Sequence, residues 1–147
     1  MLNNETINVT GKLKIEVFGE DGAIKEVREI PNLVVTVGKT FIASRMVGTT
    51  AAVMSHMAVG TDSTAPAAGN TALGVEVGRV ALTSGTSSGA VATFVATFGA
   101  GTGTGALTEA GIFNAASAGT MLCRTTFAVV NKQSTDGMTI TWTVTIS

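Results

Sequence analysis

At 147 residues and 14.8 kDa the chain has the length of one domain, able to bury on the order of 70% of the surface its unfolded form exposes. Charged residues make up 13% of it and the formal net charge is −1, against roughly 25% charged residues in an average soluble protein. No basic cluster is denser than Lys12/Lys14, which argues against direct nucleic-acid binding, where phosphate neutralisation supplies most of the affinity. The apolar stretches are short and broken by Thr and Gly, so none reads as a membrane span. So little charge leaves the exterior poorly solvated, and the expectation is that copies of the chain or a partner cover much of it.

The opening MLNNETINVT has neither a basic region nor an apolar signal core, so no Sec-type export signal is expected; residues 1–10 read as a flexible N-terminal arm. Lys12–Phe18 alternates Leu13, Ile15 and Val17 with Lys12, Lys14 and Glu16, the period of a strand with one dry face. Gly19–Gly22 supplies turn residues, and Ala23–Ile30 returns as the second arm of a hairpin that Pro31-Asn32 should end. Lys39–Met46 (KTFIASRM) is the one convincing helical segment, short and stopping near Gly48.

Val53–Val59 reads as a buried strand, and Gly60–Gly74 (GTDSTAPAAGNTALG) as a loop too weakly apolar for a core of its own. Val75–Thr83 resumes strand character around Arg79, and SGTSSG (Ser84–Gly89) looks like a flexible hairpin connection. Ala90–Phe98 places Ala92, Phe94, Ala96 and Phe98 on one face, marking the core side. Gly99–Gly105 is a glycine-rich loop; Leu107–Asn114 and Thr120–Val130 form a hairpin around Ala115–Gly119; Asn131–Gly137 turns again. The chain closes on Thr139–Ile146, with Ile140, Trp142, Val144 and Ile146 on one face and four threonines on the other. Seven to nine short strands at spacings of roughly 8 to 15 residues predict a sandwich or a barrel: an arm over residues 1–10 and a single all-β domain over 11–147.

No constellation in the sequence commits it to chemistry. Gly38-Lys39-Thr40 resembles the end of a phosphate-binding loop, but the glycine that pattern needs five residues earlier is Leu33, and a strand-to-helix turn explains it better. Gly99, Gly101, Gly103 and Gly105 recur every second residue instead of as GxGxxG, which points to flexibility or close backbone packing. His56 is the sole histidine and has no ligand or triad partner at a suitable spacing. Glu76 and Glu109 stand isolated in apolar strands, with Arg45, Arg79 and Arg124 as candidate partners; structural ion pairs are the expectation. Cys123 is the only cysteine and reads as a buried thiol. Asn4-Glu5-Thr6 and Asn8-Val9-Thr10 match the glycosylation sequon, a frequent accident. No catalytic, cofactor-binding or metal-binding residue is assigned.

MAVGTDSTAPAAGNTALGVEVGR (Met57–Arg79), ATFGAGTGTGALTEAGIFNAASAGTMLCRTTFAVVNK (Ala96–Lys132) and TITWTVTI near the end resemble a family of small virion proteins of tailed bacteriophages, with the likeness running from about Pro31 to Ser147. The resemblance implies a non-enzymatic antiparallel β-sandwich, jelly-roll-like, acting as a capsid decoration (cement) protein. It further implies a partner in the major capsid protein, a homo-oligomer (dimer or trimer), and a place on the capsid exterior after synthesis in the bacterial cytoplasm. Shell contacts would fall to the arm, Gly60–Gly74 or Gly99–Gly105, with the arm able to add as a strand to a neighbour. Related segments also occur in tail and fibre components, the principal alternative. A carbohydrate-binding sandwich is disfavoured because Trp142 falls on the apolar face of its strand and tyrosine is absent, and a small hydrolase because no polar cluster is evident.

Overall fold

A computed structural model of the chain describes residues 5–49 and 51–147. Nine antiparallel strands and one helix follow in the order β1 (Val9–Phe18), β2 (Ile24–Val34), α1 (Thr36–Met46), β3 (His56–Gly60), β4 (Glu76–Ala81), β5 (Ser84–Ser88), β6 (Val91–Phe98), β7 (Gly105–Phe113), β8 (Met121–Lys132) and β9 (Gly137–Ile146). They form one sheet in the order β4-β3-β7-β8-β2-β1-β9-β6-β5. The strands at its two ends, β4 and β5, are joined by Leu82 and Thr83 alone, so the sheet has to curl until its ends meet. The Leu82 N–H bonds the Ser55 carbonyl on the β3 side, and the Thr83 N–H bonds the Val95 carbonyl in β6. The result is the antiparallel β-sandwich the strand spacing predicts: β5-β6-β9-β1-β2 faces β8-β7-β3-β4, and the chain passes between layers at β2, β4–β5, β6–β7 and β8–β9.

The second seam is β2 itself. It pairs with β1 as far as Gly11↔Asn32, then with β8 through Leu33↔Arg124 and Val34↔Cys123. Pro31-Asn32 therefore does not end the strand, as the sequence suggested, but marks its change of partner. A proline has no N–H to give to a ladder and tolerates a bend, and its carbonyl accepts the Thr125 hydroxyl at 2.8 Å. Ser84–Gly89 likewise departs from expectation: Ser84–Ser88 is a strand paired with β6, and only Gly89 belongs to the turn. Its side chains are all exposed, so it carries no apolar alternation to read. The expected arm is also shorter, because Val9 and Thr10 pair with Ile146 and Thr145 and the Asn8 N–H bonds the Ser147 carbonyl; Met1–Asn4, including the Asn4 sequon, lie outside the described residues.

The core lies between the layers. Leu13, Ile15 and Val17 of β1, Ala96 and Phe98 of β6, and Met138, Ile140, Trp142 and Val144 of β9 meet Met57, Val59, Leu107, Ile112, Leu122, Cys123 and Val130. Burial pushes the Cys123 thiol well above its ordinary titration range. Thr139, Thr141, Thr143 and Thr145 take the outer face of the first layer, between Glu16, Lys14, Lys12 and Thr10 of β1 and Thr97, Val95, Thr93 and Val91 of β6. No second layer covers them among the described residues.

The helix begins at Thr36, three residues before the expected Lys39, behind Val35, whose side chain makes no cap hydrogen bond. Phe41 and Ile42 pack on the core, and Gly38 is buried against β8, where a Cβ would run into the Leu122 carbonyl. Replacing an interior helical glycine by alanine ordinarily gains about 0.8–1.0 kcal/mol of helix propensity. Here the opposite sign is expected: Gly38→Ala should lower stability by about 1–2 kcal/mol, as overpacking outweighs propensity. The urea midpoint of the variant against the native chain measures it.

Candidate functional site

The outer face of the β8-β7-β3-β4 layer is built from residues of one parity. Register sets Gly60 opposite Glu109, Ala58 opposite Gly111, and Gly111 opposite Arg124. Glycine and alanine flank the two long charged side chains, and that room lets Glu109 and Arg124 lie flat on the sheet. Arg124 Nη2 and Nε reach Glu109 Oε1 at 3.2 and 3.3 Å. Both residues are buried.

A buried carboxylate needs more than one ion-pair partner to offset its lost hydration, and the loop Thr61–Val75 supplies the rest. The Asp62 and Val75 N–H groups donate to Glu109 Oε2 at 2.9 and 2.8 Å, and the Gly74 N–H donates to Oε1 at 2.8 Å. Arg124 in turn reaches Asn70 Oδ1 at 3.1 Å and Asp62 Oδ2 at 3.4 Å. Gly74 is required for the approach, since a Cβ there would run into the Asp62 carboxylate. The Thr64 amide and hydroxyl, and after them the Arg124 guanidinium, hold the Asp62 carboxyl below its ordinary value of 3.8. Leu73 packs with Ala58, Phe113, Met121 and Val35 beneath the loop. A fifteen-residue segment without helix or strand is thereby fixed at both ends and at Asn70.

Beside this lock, Arg79 Nη2 and Nε pair with Glu76 at 2.6 and 3.1 Å, and Nη1 bonds the carbonyls of Ala115 and Ala118 at 3.0 and 2.9 Å. Its guanidinium stacks 3.8 Å from the Phe113 ring centroid, a favourable cation–π geometry. It thus secures the β7–β8 turn, in which Ala118 takes a left-handed φ of 51°, a conformation costly for a residue with a Cβ.

The two isolated acids of the sequence are therefore partners of Arg79 and Arg124, in structural ion pairs as expected. Arg45 joins neither and donates instead to the Ala51 carbonyl at 2.8 Å. His56 lies in β3 with Nδ1 2.8 Å from the Ser55 hydroxyl. Gly38-Lys39-Thr40 falls inside α1, and its glycine serves helix packing. In Gly99–Gly105 the glycines at 101, 103 and 105 have positive φ, which only glycine adopts freely. That turn is tied down by the Gly101 N–H on the Ser134 carbonyl and by Lys132 Nζ on the Gly99 carbonyl at 2.9 Å. Burial lowers the Lys132 pKa while Asp136 opposes the shift. Asp136 is held below its ordinary value by the Gln133 amide and then by Lys25, whose Nζ lies 3.0 Å away.

Sequence reasoning missed two features. Asp62 and Asn70 read only as turn formers, although Asp62 two residues before a threonine was a signal for an Asx-type turn. An open apolar groove of about 490 Å³ between α1 and the β5–β6 hairpin left no motif at all. Among the described residues, no group of three or more His, Cys, Asp and Glu is gathered as metal ligands would be, and no helix is long and apolar enough to cross a membrane. Each Glu109 oxygen is already engaged by at least two donors, so what this carboxylate does chemically is hold a loop.

No protein-family model, curated protein or solved structure matches the chain.

Removing Glu109 leaves a buried guanidinium and three loop amides without their acceptor. Glu109→Ala is expected to cost about 3–5 kcal/mol in urea unfolding. Adding Arg124→Met should recover part of that by removing a buried charge left with only the longer Asp62 contact and Asn70, but not all, because the amides of Asp62, Gly74 and Val75 stay unsatisfied.

Proposed function

We propose that the protein is a non-enzymatic structural component of a tailed-bacteriophage virion: a decoration protein that binds the outer shell and strengthens contacts between major capsid subunits. One observation carries the reading. The residues of the loop lock come from the two longest segments that carry the family resemblance. Asp62, Asn70, Gly74 and Val75 lie in Met57–Arg79, and Glu109 and Arg124 lie in Ala96–Lys132. What the resembling segments build together is a rigid, irregular surface on one layer of a sandwich.

Such a surface suits docking on a fixed lattice. A loop already held in one conformation loses little further entropy when a partner covers it. The charges that could oppose desolvation are few and largely satisfied within the chain, with Lys14, Lys25, Arg28, Arg79 and Arg124 all in ion pairs. A protein that binds the expanded shell better than its precursor stabilises the expanded state by linkage. The open, mainly apolar groove at the far end adds a second surface with which neighbouring molecules can engage.

Copy number tests the assignment. Purified protein added to capsids that lack it is expected to bind at a stoichiometry near that of the major capsid protein, read by quantitative gel densitometry of the isolated particles. A handful of copies per particle would instead assign the chain to the tail or its fibres.

A further inference from the structure

The two ends of the sandwich carry unlike surfaces. At one end, the groove between α1 and the β5–β6 hairpin is lined by Phe41, Ile42, Phe94, Val144 and Ile146, with Arg45 the one charged side chain among its lining residues. Arg45 bonds the carbonyls of Thr49 and Ala51 through Nη1, and among the described residues no carboxylate pairs with it or with Lys39 of the same helix. The segments that line the groove hold no acid: residues 31–60 include Lys39 and Arg45 but neither Asp nor Glu, and residues 84–107 and 137–147 include no charged side chain. Val53 on the groove, and Met46 and Val47 next to Arg45, are exposed.

The tip of the β1–β2 hairpin has the complementary make-up. Glu20 and Asp21 are exposed there and, among the described residues, stand in no ion pair. Ala23 and Ile24 follow them, both exposed, Ile24 at 57%. Ile24 lies opposite Phe18 across the hairpin, so the tip presents an apolar knob beside two carboxylates. Its backbone is already set: the Gly19 and Gly22 N–H groups bond the Ala23 and Gly19 carbonyls, and Asp21 Oδ1 accepts the Ala23 N–H at 3.0 Å. A preorganised tip loses little further entropy on insertion.

We propose that this hairpin tip inserts into the groove of a second copy of the chain, with Ile24 against the apolar lining and Glu20 and Asp21 toward Arg45. Its own groove is out of reach. Gly137 at the start of β9 pairs with Phe18 below the tip, and Ile146 at the end of β9 lines the groove. Tip and groove therefore stand at opposite ends of a ten-residue strand, about 30 Å apart. The contact joins unlike surfaces, so each copy gives its hairpin to one groove and its groove to another hairpin, and the copies assemble head to tail, as a ring where the rotation closes and as an open chain where it does not. It is a property of the chain alone, and its test uses no capsid, so it stands or falls apart from the virion assignment.

Complementation between two blocked variants tests the contact. Ile24→Lys sets a cation against Arg45 while replacing a side chain that is already exposed. Gly85→Leu fills the groove, where a Cβ meets only the Phe94 ring and Leu82 at 3.6–4.0 Å, so the fold tolerates it. In sedimentation equilibrium at about 0.5 mM, a concentration that populates small interfaces, the native chain is expected to self-associate and each variant alone to do so about tenfold more weakly or less. Mixed in equal amounts, the variants should form a 1:1 dimer and nothing larger, because the intact tip of the Gly85→Leu chain fits the intact groove of the Ile24→Lys chain. The native chain supplies a reading that needs no substitution: its association should weaken as salt rises from about 0.05 to 0.5 M, since exposed carboxylate–guanidinium pairs are screened. A native chain that stays monomeric, association indifferent to both substitutions or strengthened by salt, or a mixture no more associated than its components would each overturn the proposal.

Discussion

The buried pair of Glu109 and Arg124 is the interaction on which the outer architecture of this protein depends. The two side chains alone would add little to stability, because the Coulombic gain of an isolated buried pair is commonly cancelled by desolvation. The balance tips through the loop, whose three amides complete the shell of the carboxylate and whose Asn70 and Asp62 accept from Nη1 and Nη2 of the guanidinium. The dependence is mutual. Thr61–Val75 has one buried leucine and no repetitive backbone bonding of its own, so without the pair it would have little to order it. A hydrophobic replacement of the pair could match it in burial, but it could not satisfy those amides.

The sandwich makes this face available by the way it closes. Because β4 runs into β5 across two residues and β2 changes partner near Pro31, the layers are one sheet folded over, with a seam on each side. The ends of the fold then differ. Around Gly99–Gly105 and the β8–β9 turn, Lys132, Asp136 and Lys25 tie the connections together. At the opposite end, where β9 finishes and β6 begins, α1 leans on β8 but leaves an apolar groove beside the unpaired edge of β5. One broad face carries a locked loop, the other carries threonines, and one end stays open. That distribution gives a low-charge protein separate surfaces to offer to neighbours.

How much of this the sequence reveals depends on which force fixes each element. β1, β6 and β9 are legible because one dry face imposes strict alternation, and Trp142 falls on the inner side as its parity requires. β5 is held only by main-chain bonds to β6, so SGTSS leaves no side-chain trace. The continuation of β2 past Pro31 is hidden because its new partner, β8, lies about ninety residues later in the chain. The acids Glu76 and Glu109 can be recognised as needing arginines, but which arginine serves which acid follows from the sheet: Gly111 sets Arg124 beside Glu109, and the hairpin of β3 and β4 brings Arg79 over Phe113. The roles of Asp62 and Asn70 exist only once the loop is laid over that sheet.

The irregular loop Thr61–Val75 is held as firmly as the strands beneath it, and amide hydrogen exchange reads this directly. If Glu109 holds the loop, the amides of Asp62, Gly74 and Val75 exchange as slowly as those of β7 and β8, and far more slowly than the exposed amides of Glu20 and Asp21. Exchange of those three amides at the rate of the exposed turn, with β7 and β8 still protected, would show that Glu109 does not hold the loop.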